Sequence, residues 1–207
     1  AFIRFYNADG SESGACGNGS RCVAALLFAE KPRGTLHLKT IAGDLYAQSQ
    51  EDGAVSIDMG VPGLDWRDIP LAEELDTLIL PIQQGKLINP VGVAMGNPHM
   101  VFFVKPEMDI DLSALGPILE QHPLFPERAN VTVARVQDAH HIEAQVWERG
   151  SGLTLACGTA ACATLVAAVR RGLCERYAQI RLPGGVLHVE WDARDHVIMT
   201  GAVAVAY

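Results

Sequence analysis

The chain has 207 residues, 49% of them hydrophobic, and a formal net charge of −8. That apolar content is enough for packed cores, and the acidic balance argues against a nucleic-acid partner. No apolar run approaches the ~20 residues of a membrane span and no signal peptide is visible, so a cytoplasmic protein without a membrane partner is expected. Five cysteines, an odd number, read as reduced thiols rather than a disulfide framework.

Residues 1–6 are rich in aromatic and branched side chains and read as a β-strand. Asn7, Asp9, Gly10 and Ser11 form a turn cluster. The glycine-rich loop that follows lacks the Gly-Lys-Ser/Thr ending of a phosphate loop and the Gly-x-Gly-x-x-Gly order of a dinucleotide site. Cys16 and Gly17 then open a run, residues 23–29, that is apolar nearly all round, as suits a helix inside a domain. Residues 34–60 read as a hairpin or meander with a turn near Gly53. Pro62, Gly63 and Pro70 mark a boundary. It separates an N-terminal lobe at 1–60, completed by a final strand at about 202–207, from a C-terminal lobe at 61–201. Residues 79–93 read as strands, 100–104 as another, and Gly96-Asn97-Pro98-His99 as the turn between them. A helix is expected over 111–120, and strands over 131–136 and 142–147. Glu148-Arg149-Gly150 turns into a second cysteine loop, Ala156-Cys157-Gly158-Thr159-Ala160, and residues 163–169 are again apolar all round.

The two cysteine loops belong to a longer internal repeat. Cys157 follows Cys16 by 141 positions, and Gly201 follows Gly60 by the same 141. The strand around Leu38 to Leu45 corresponds to that around Ile180 to Leu187. Agreement over about 45 positions implies two pseudo-symmetric lobes. Each cysteine is expected at the N-terminus of a buried helix, where unpaired N–H groups and the positive dipole end favour anions and lower a thiol pKa. Two cysteines so placed suggest a cofactor-free, two-base proton-transfer enzyme. Cys22, Cys162 and Cys174 read as small buried hydrophobes. The spacings Cys16-x5-Cys22 and Cys157-x4-Cys162 do not suit a zinc site, and no metal is expected.

Asn7-Ala8-Asp9-Gly10-Ser11-Glu12 with Cys16-Gly17-Asn18-Gly19 resembles the first signature of diaminopimelate epimerases. So do Gly96-Asn97-Pro98-His99, Glu127-Arg128-Ala129-Asn130, Glu148-Arg149-Gly150 and Ala156-Cys157-Gly158-Thr159. The resemblance spans residues 5–201. It implies an α/β (α+β) fold of two pseudo-symmetric lobes, each a curled, mostly antiparallel sheet or barrel around a central helix, with the site between them. It also implies PLP-independent epimerisation of LL- to meso-diaminopimelate, in lysine and peptidoglycan precursor biosynthesis.

In that chemistry Cys16 and Cys157 work as thiolate and thiol on opposite faces of the α-carbon. The resemblance gives Glu148 and His99 supporting roles in proton movement. The backbone N–H groups of Gly17, Asn18, Gly158 and Thr159 suit the reacting carboxylate. Arg149, expected as a buried guanidinium, can grip a distal carboxylate, with Asn7, Asn97 and Asn130 around the zwitterionic end. The substrate would be a small amino acid, and a homodimer is left open. Ala160 stands where the family usually has glycine, and a helical backbone is expected there. The turn at Asn97 precedes Cys157 by 60 residues, whereas 15 precede Cys16; by the repeat, some 45 or more residues are expected upstream. Two alternatives are a proline racemase-like enzyme and a non-catalytic remnant.

Overall fold

The computed structural model describes residues 1–6, 12–13, 17–30, 34–41 and 43–203. In chain order, β1 (Phe5–Tyr6) and β2 (Glu12–Ser13) lead into α1 (Gly17–Glu30). A meander follows: β3 (Thr35–Thr40), β4 (Gly43–Ser49) and β5 (Val55–Asp58). After a long connection come β6 (Gln83–Gln84), β7 (Leu87–Ile88), β8 (Val91–Ala94), β9 (Pro98–Phe103) and α2 (Leu112–Glu120). The chain continues through β10 (Asn130–Asp138), β11 (His141–Glu148), β12 (Gly152–Thr154) and α3 (Gly158–Arg170). It ends in a second meander of β13 (Tyr177–Leu182), β14 (Gly185–Trp191) and β15 (Val197–Gly201).

Eleven of these strands form one sheet in the order β3-β4-β5-β15-β14-β13-β11-β10-β9-β8, with β12 added to β11. Its pairs are antiparallel except β9–β10 and β11–β13. Each parallel pair is joined through a helix, α2 and α3 respectively, as parallel neighbours require. The unit of one helix followed by a three-stranded antiparallel meander occurs twice, and the two meanders join along β5 and β15, where Ile57 faces Met199. The repeat in the sequence is therefore a repeat in the fold. The path stays open, with β3 and β8 at its ends, so the sheet curls without closing into a barrel among the described residues.

The curl is centred on α3. Residues 158–168 are all buried, and Val91, Val101, Ile142, Ile180, Val189 and Val197 pack round them from six strands. Five alanines among those residues keep the helix slim enough for strands to close in on it. On the other face of β8 to β10, Ile69, Leu80, Leu112 and Leu119 form a second core with Met100, Phe102, Val131 and Val133. Strands covered on both faces explain the unbroken apolar runs.

The first helix departs from expectation. Its buried residues are Gly17, Ser20, Arg21, Ala24 and Phe28, a single stripe, and Leu26 is 60% exposed. Among the described residues, β4, β5 and the start of α3 flank it, so one side has a core and the other does not. Cys22 sits on the open side and is exposed, Cys174 is half-buried, and of the three Cys162 alone is fully buried. Residues 79–82 form no strand; β6 and β7 make a short hairpin between Pro81 and Pro90. Residues 202 and 203 carry no strand, and the remainder of the expected final strand lies outside the described residues. No helix among the described residues is long and apolar enough to cross a membrane.

Candidate active site

Helices α1 and α3 begin against each other. A Cβ built on Gly158 would lie 3.3 Å from the Cα of Gly17, and one on Gly17 would lie 3.4 Å from the Cα of Gly158. Only glycine permits that approach from both sides. Met199 fills the junction, its Sδ 2.9 Å from the position of a Cβ on Gly158. The Asn18 amide crosses it, donating from Nδ2 to the Ala156 carbonyl at 3.2 Å while accepting from Arg21 Nη2 at 3.1 Å. Neither helix has an acidic residue in its first turn. Two positive dipole ends thus meet with no neutralising side chain of their own, an arrangement that favours an anion.

Cys157 is the N-cap of α3, in extended backbone at φ −136° and ψ 115°. Its thiol is buried, and burial, followed by the charge of Glu148, pushes its pKa up to about 12. The Thr159 hydroxyl and the Ala160 N–H pull the other way with less effect. The expected lowering by the helix terminus is therefore real in direction but outweighed, because desolvation acts on the whole thiolate charge. Cys157 is a thiol in this state. Glu148 is held by Thr154, whose hydroxyl donates to Oε1 at 2.5 Å.

A chain of side chains leads away from the sulfur. Thr159 Oγ1 lies 3.4 Å from Cys157 Sγ and accepts from Asn97 Nδ2 at 3.5 Å, which leaves its own proton for the sulfur. With the amide turned that way, Asn97 Oδ1 meets His99 Nε2 at 2.9 Å. The network thereby assigns the proton to Nε2 and leaves Nδ1 as a bare acceptor, buried without a partner among the described residues. His99 is fully buried on β9, and burial, then the nearby Arg149 charge, lowers its pKa to about 3. It is neutral. The parallel pairing of β9 and β10 sets Asn130 beside it in register.

Asn130 ties two loops together: Nδ2 donates to the Pro98 carbonyl at 3.0 Å, and Oδ1 accepts from the Arg149 backbone N–H at 2.9 Å. The Arg149 guanidinium donates to the Glu127 carbonyl at 2.8 Å. The arrangement pairs an anion site bearing a thiol with a second polar site a few residues away.

The family profile described as diaminopimelate epimerase matches residues 1–64 and 91–206. The chain belongs to this family. A diaminopimelate epimerase of Rhodospirillum centenum is 52% identical over 206 residues, covering 100% of this chain and 71% of the relative. One from Acidiphilium cryptum is 51% identical over 207 residues, covering 100% and 75%. Among solved structures, a probable proline racemase from Agrobacterium radiobacter, with bound carbonate, has a TM-score of 0.69 at 16% identity and covers 99% of this chain and 71% of its own. That likeness shows the shared fold alone. Residues 65–90, with the β6–β7 hairpin, fall between the segments matched to the epimerase family.

Of the residues that resemble the epimerase signatures, Gly17, Asn18, Gly158, Thr159, Cys157, Asn97 and His99 come together around the helix junction. Glu148 approaches the same thiol, while Asn130 and Arg149 form the adjoining cluster. Cys16 and Asn7 lie outside the described residues. Two expectations need correction. Arg149 is exposed at the tip of its turn rather than buried. His99 lies on β9, a strand covered on both faces, rather than in the turn between strands. Thr154 and Met199 take part without any sequence motif announcing them, and Glu127, although in a quoted motif, contributes only its carbonyl. Thr154 works through the β11–β12 register. Only the position of Met199 on the second meander's last strand could have drawn notice.

Proposed function

We propose that this chain interconverts LL- and meso-diaminopimelate by proton transfer between Cys16 and Cys157. The observation that carries the reading is the contact of two helix N-termini beside a buried thiol. An α-carboxylate there meets first-turn N–H groups of Gly17, Asn18, Gly158 and Thr159, donors that strengthen as charge develops on it. Removal of the α-proton breaks the Cα–H bond and forms S–H on one cysteine. The S–H of the other breaks and its proton is delivered to the opposite face, inverting the centre. In one direction Cys157, as the thiol, is the donor; in the reverse direction its thiolate is the base, with Thr159 donating to the sulfur. Arg149, Asn130, Asn97 and Asn7 are assigned to the distal ammonium and carboxylate. His99, neutral, steadies Asn97, and Glu148 faces the thiol. The division into lobes at 1–60 and 61–201 and a place in the cytoplasm belong to the same reading.

The test is deuterium exchange at Cα in D2O with diaminopimelate, lysine and proline. Exchange and inversion are expected with diaminopimelate, and neither in Cys157→Ser, since serine is too weakly acidic to replace the thiol pair. Equal exchange of proline would reinstate the proline racemase-like alternative, which relatives at 52% identity do not favour. Lysine lacks the distal carboxylate, and exchange as fast as with diaminopimelate would remove Arg149 from substrate selection.

A further inference from the structure

Glu120 stands in a place its own helix does not explain. It is the last residue of α2 and 6% exposed. A negative charge at a helix C-terminus opposes the macrodipole, and a buried carboxylate persists only where donors surround it. Here they come from two loops. Trp147 Nε1 donates to Oε2 at 2.7 Å and Gly150 N to Oε1 at 3.0 Å. Arg128 Nη1 lies 3.5 Å from Oε1, and the Glu120 carbonyl accepts from Ala129 N at 3.1 Å.

These contacts bracket the residues assigned to the distal end of the substrate. Trp147 and Gly150 flank Glu148 and Arg149; Arg128 and Ala129 immediately precede Asn130. Both loops pass through left-handed backbone, Arg128 at φ 59° and Gly150 at φ 76°. Such a conformation at a non-glycine residue persists only where its surroundings hold it. The helix is also shaped for the indole. A Cβ on Gly116, one turn before Glu120, would lie 2.4 Å from Trp147 Cδ2, so the ring rests on bare backbone and reaches Glu120 with its N–H.

We propose that Glu120 is a positioning residue for recognition of the distal ammonium and carboxylate, locking the Arg149 turn to the Asn130 loop from beneath. This deepens the epimerase reading and rests on it. The contacts of Glu120 are with Trp147, Gly150, Arg128 and Ala129, none of them a reacting group. Loss of Glu120 loosens a grip made equally in ground and transition states, so the effect falls on KM rather than kcat.

The experiment compares Glu120→Gln and Trp147→Phe with the wild-type chain, measuring KM and kcat for diaminopimelate exchange, lysine exchange, and thermal unfolding. Glutamine keeps the size of Glu120 but offers one acceptor oxygen to three donors; phenylalanine removes the indole N–H. Each is expected to raise KM on the order of tenfold, with kcat held within roughly threefold and lysine exchange unchanged. A folded variant with wild-type KM overturns the proposal, as does a loss in kcat alone or an equal loss with lysine. Where Glu120→Gln does not fold, Trp147→Phe decides by the same criterion, and unfolding of both marks Glu120 as purely structural. A wild-type chain inert towards diaminopimelate would instead refute the epimerase reading itself.

Discussion

Replacing Gly158 with alanine sets two opposing effects against each other. In an ordinary helix the change is favourable by up to about 1 kcal/mol. Here the new Cβ would stand 2.9 Å from Met199 Sδ and 3.3 Å from the Cα of Gly17. Carbon atoms in contact settle at about 3.5–4.0 Å, so the helix starts must part by roughly 0.5 Å. Overpacking of this kind costs about 1–3 kcal/mol, enough to cancel or exceed the propensity gain. For a chain of this size, each 1 kcal/mol moves Tm by about 2–4 °C.

Activity should suffer more than stability. A misplacement of about 1 Å can cost on the order of 100-fold in rate, and half of that predicts roughly a tenfold loss of kcat for diaminopimelate. The assay is exchange and inversion at Cα beside thermal unfolding, in Gly158→Ala and in Gly158→Ala/Met199→Ala. The second change removes the sulfur contact but leaves the contact with Gly17 backbone. Wild-type kcat in the single variant, or full recovery in the double one, would show that the helix-to-helix approach does not set the site.

Thr159→Val should lower kcat about tenfold, because the sulfur loses its hydroxyl donor and Asn97 Nδ2 loses its acceptor; a smaller effect on kcat than on KM would contradict this. Cys157, with a pKa raised from 9.0 to about 12, contributes stability below pH 9 that is lost as pH rises towards 12. The unfolded chain releases its proton first, by at most about 4 kcal/mol. Urea midpoints at pH 8 and 10 should differ less in Cys157→Ala than in the wild type. His99 has the opposite sense: lowered from 6.5 to about 3, it supports the fold above pH 6.5 and withdraws that support as pH falls towards 3. His99→Gln should flatten the fall in urea midpoint between pH 6 and 4.

The second cysteine helix was fully legible, and the first only in part, although their compositions are nearly alike. What separates them is tertiary. Strands surround α3, whereas α1 rests on β4, β5 and the tip of α3, so Leu26 and Cys22 face outward. Composition states what a helix could bury, not what arrives to cover it. His99 shows the same limit. A histidine after Gly96-Asn97-Pro98 reads as part of a turn, yet Pro98 begins β9, which pairs with β8 and β10, and the ring is fully buried. The repeat, by contrast, was recoverable from the matching cysteine loops and the equal 141-residue offsets of Cys16 to Cys157 and Gly60 to Gly201, and β3 and β13 carry nearly the same alternation of buried and exposed residues.

The protonation state of Cys157 follows from competition that sequence can name but not weigh. A helix N-terminus, a hydroxyl two residues on and a nearby carboxylate are all readable from Cys157, Thr159 and Glu148. Their signs are fixed by chemistry: the first two favour the thiolate and the third opposes it. Depth of burial decides the outcome, and it exceeds every local contact. The result suits inversion better than a permanently ionised thiol would. A resting thiol can deliver a proton without first acquiring one, and the thiolate left behind is strongly basic because its conjugate acid is so weak. An incoming α-ammonium group would favour that thiolate by its charge, so the cysteine ionises more readily when substrate is present and is protonated when it is not. Slow alkylation of Cys157 at neutral pH, rising steeply with pH, is the corresponding expectation; rapid alkylation at pH 7 would show that burial does not govern this thiol.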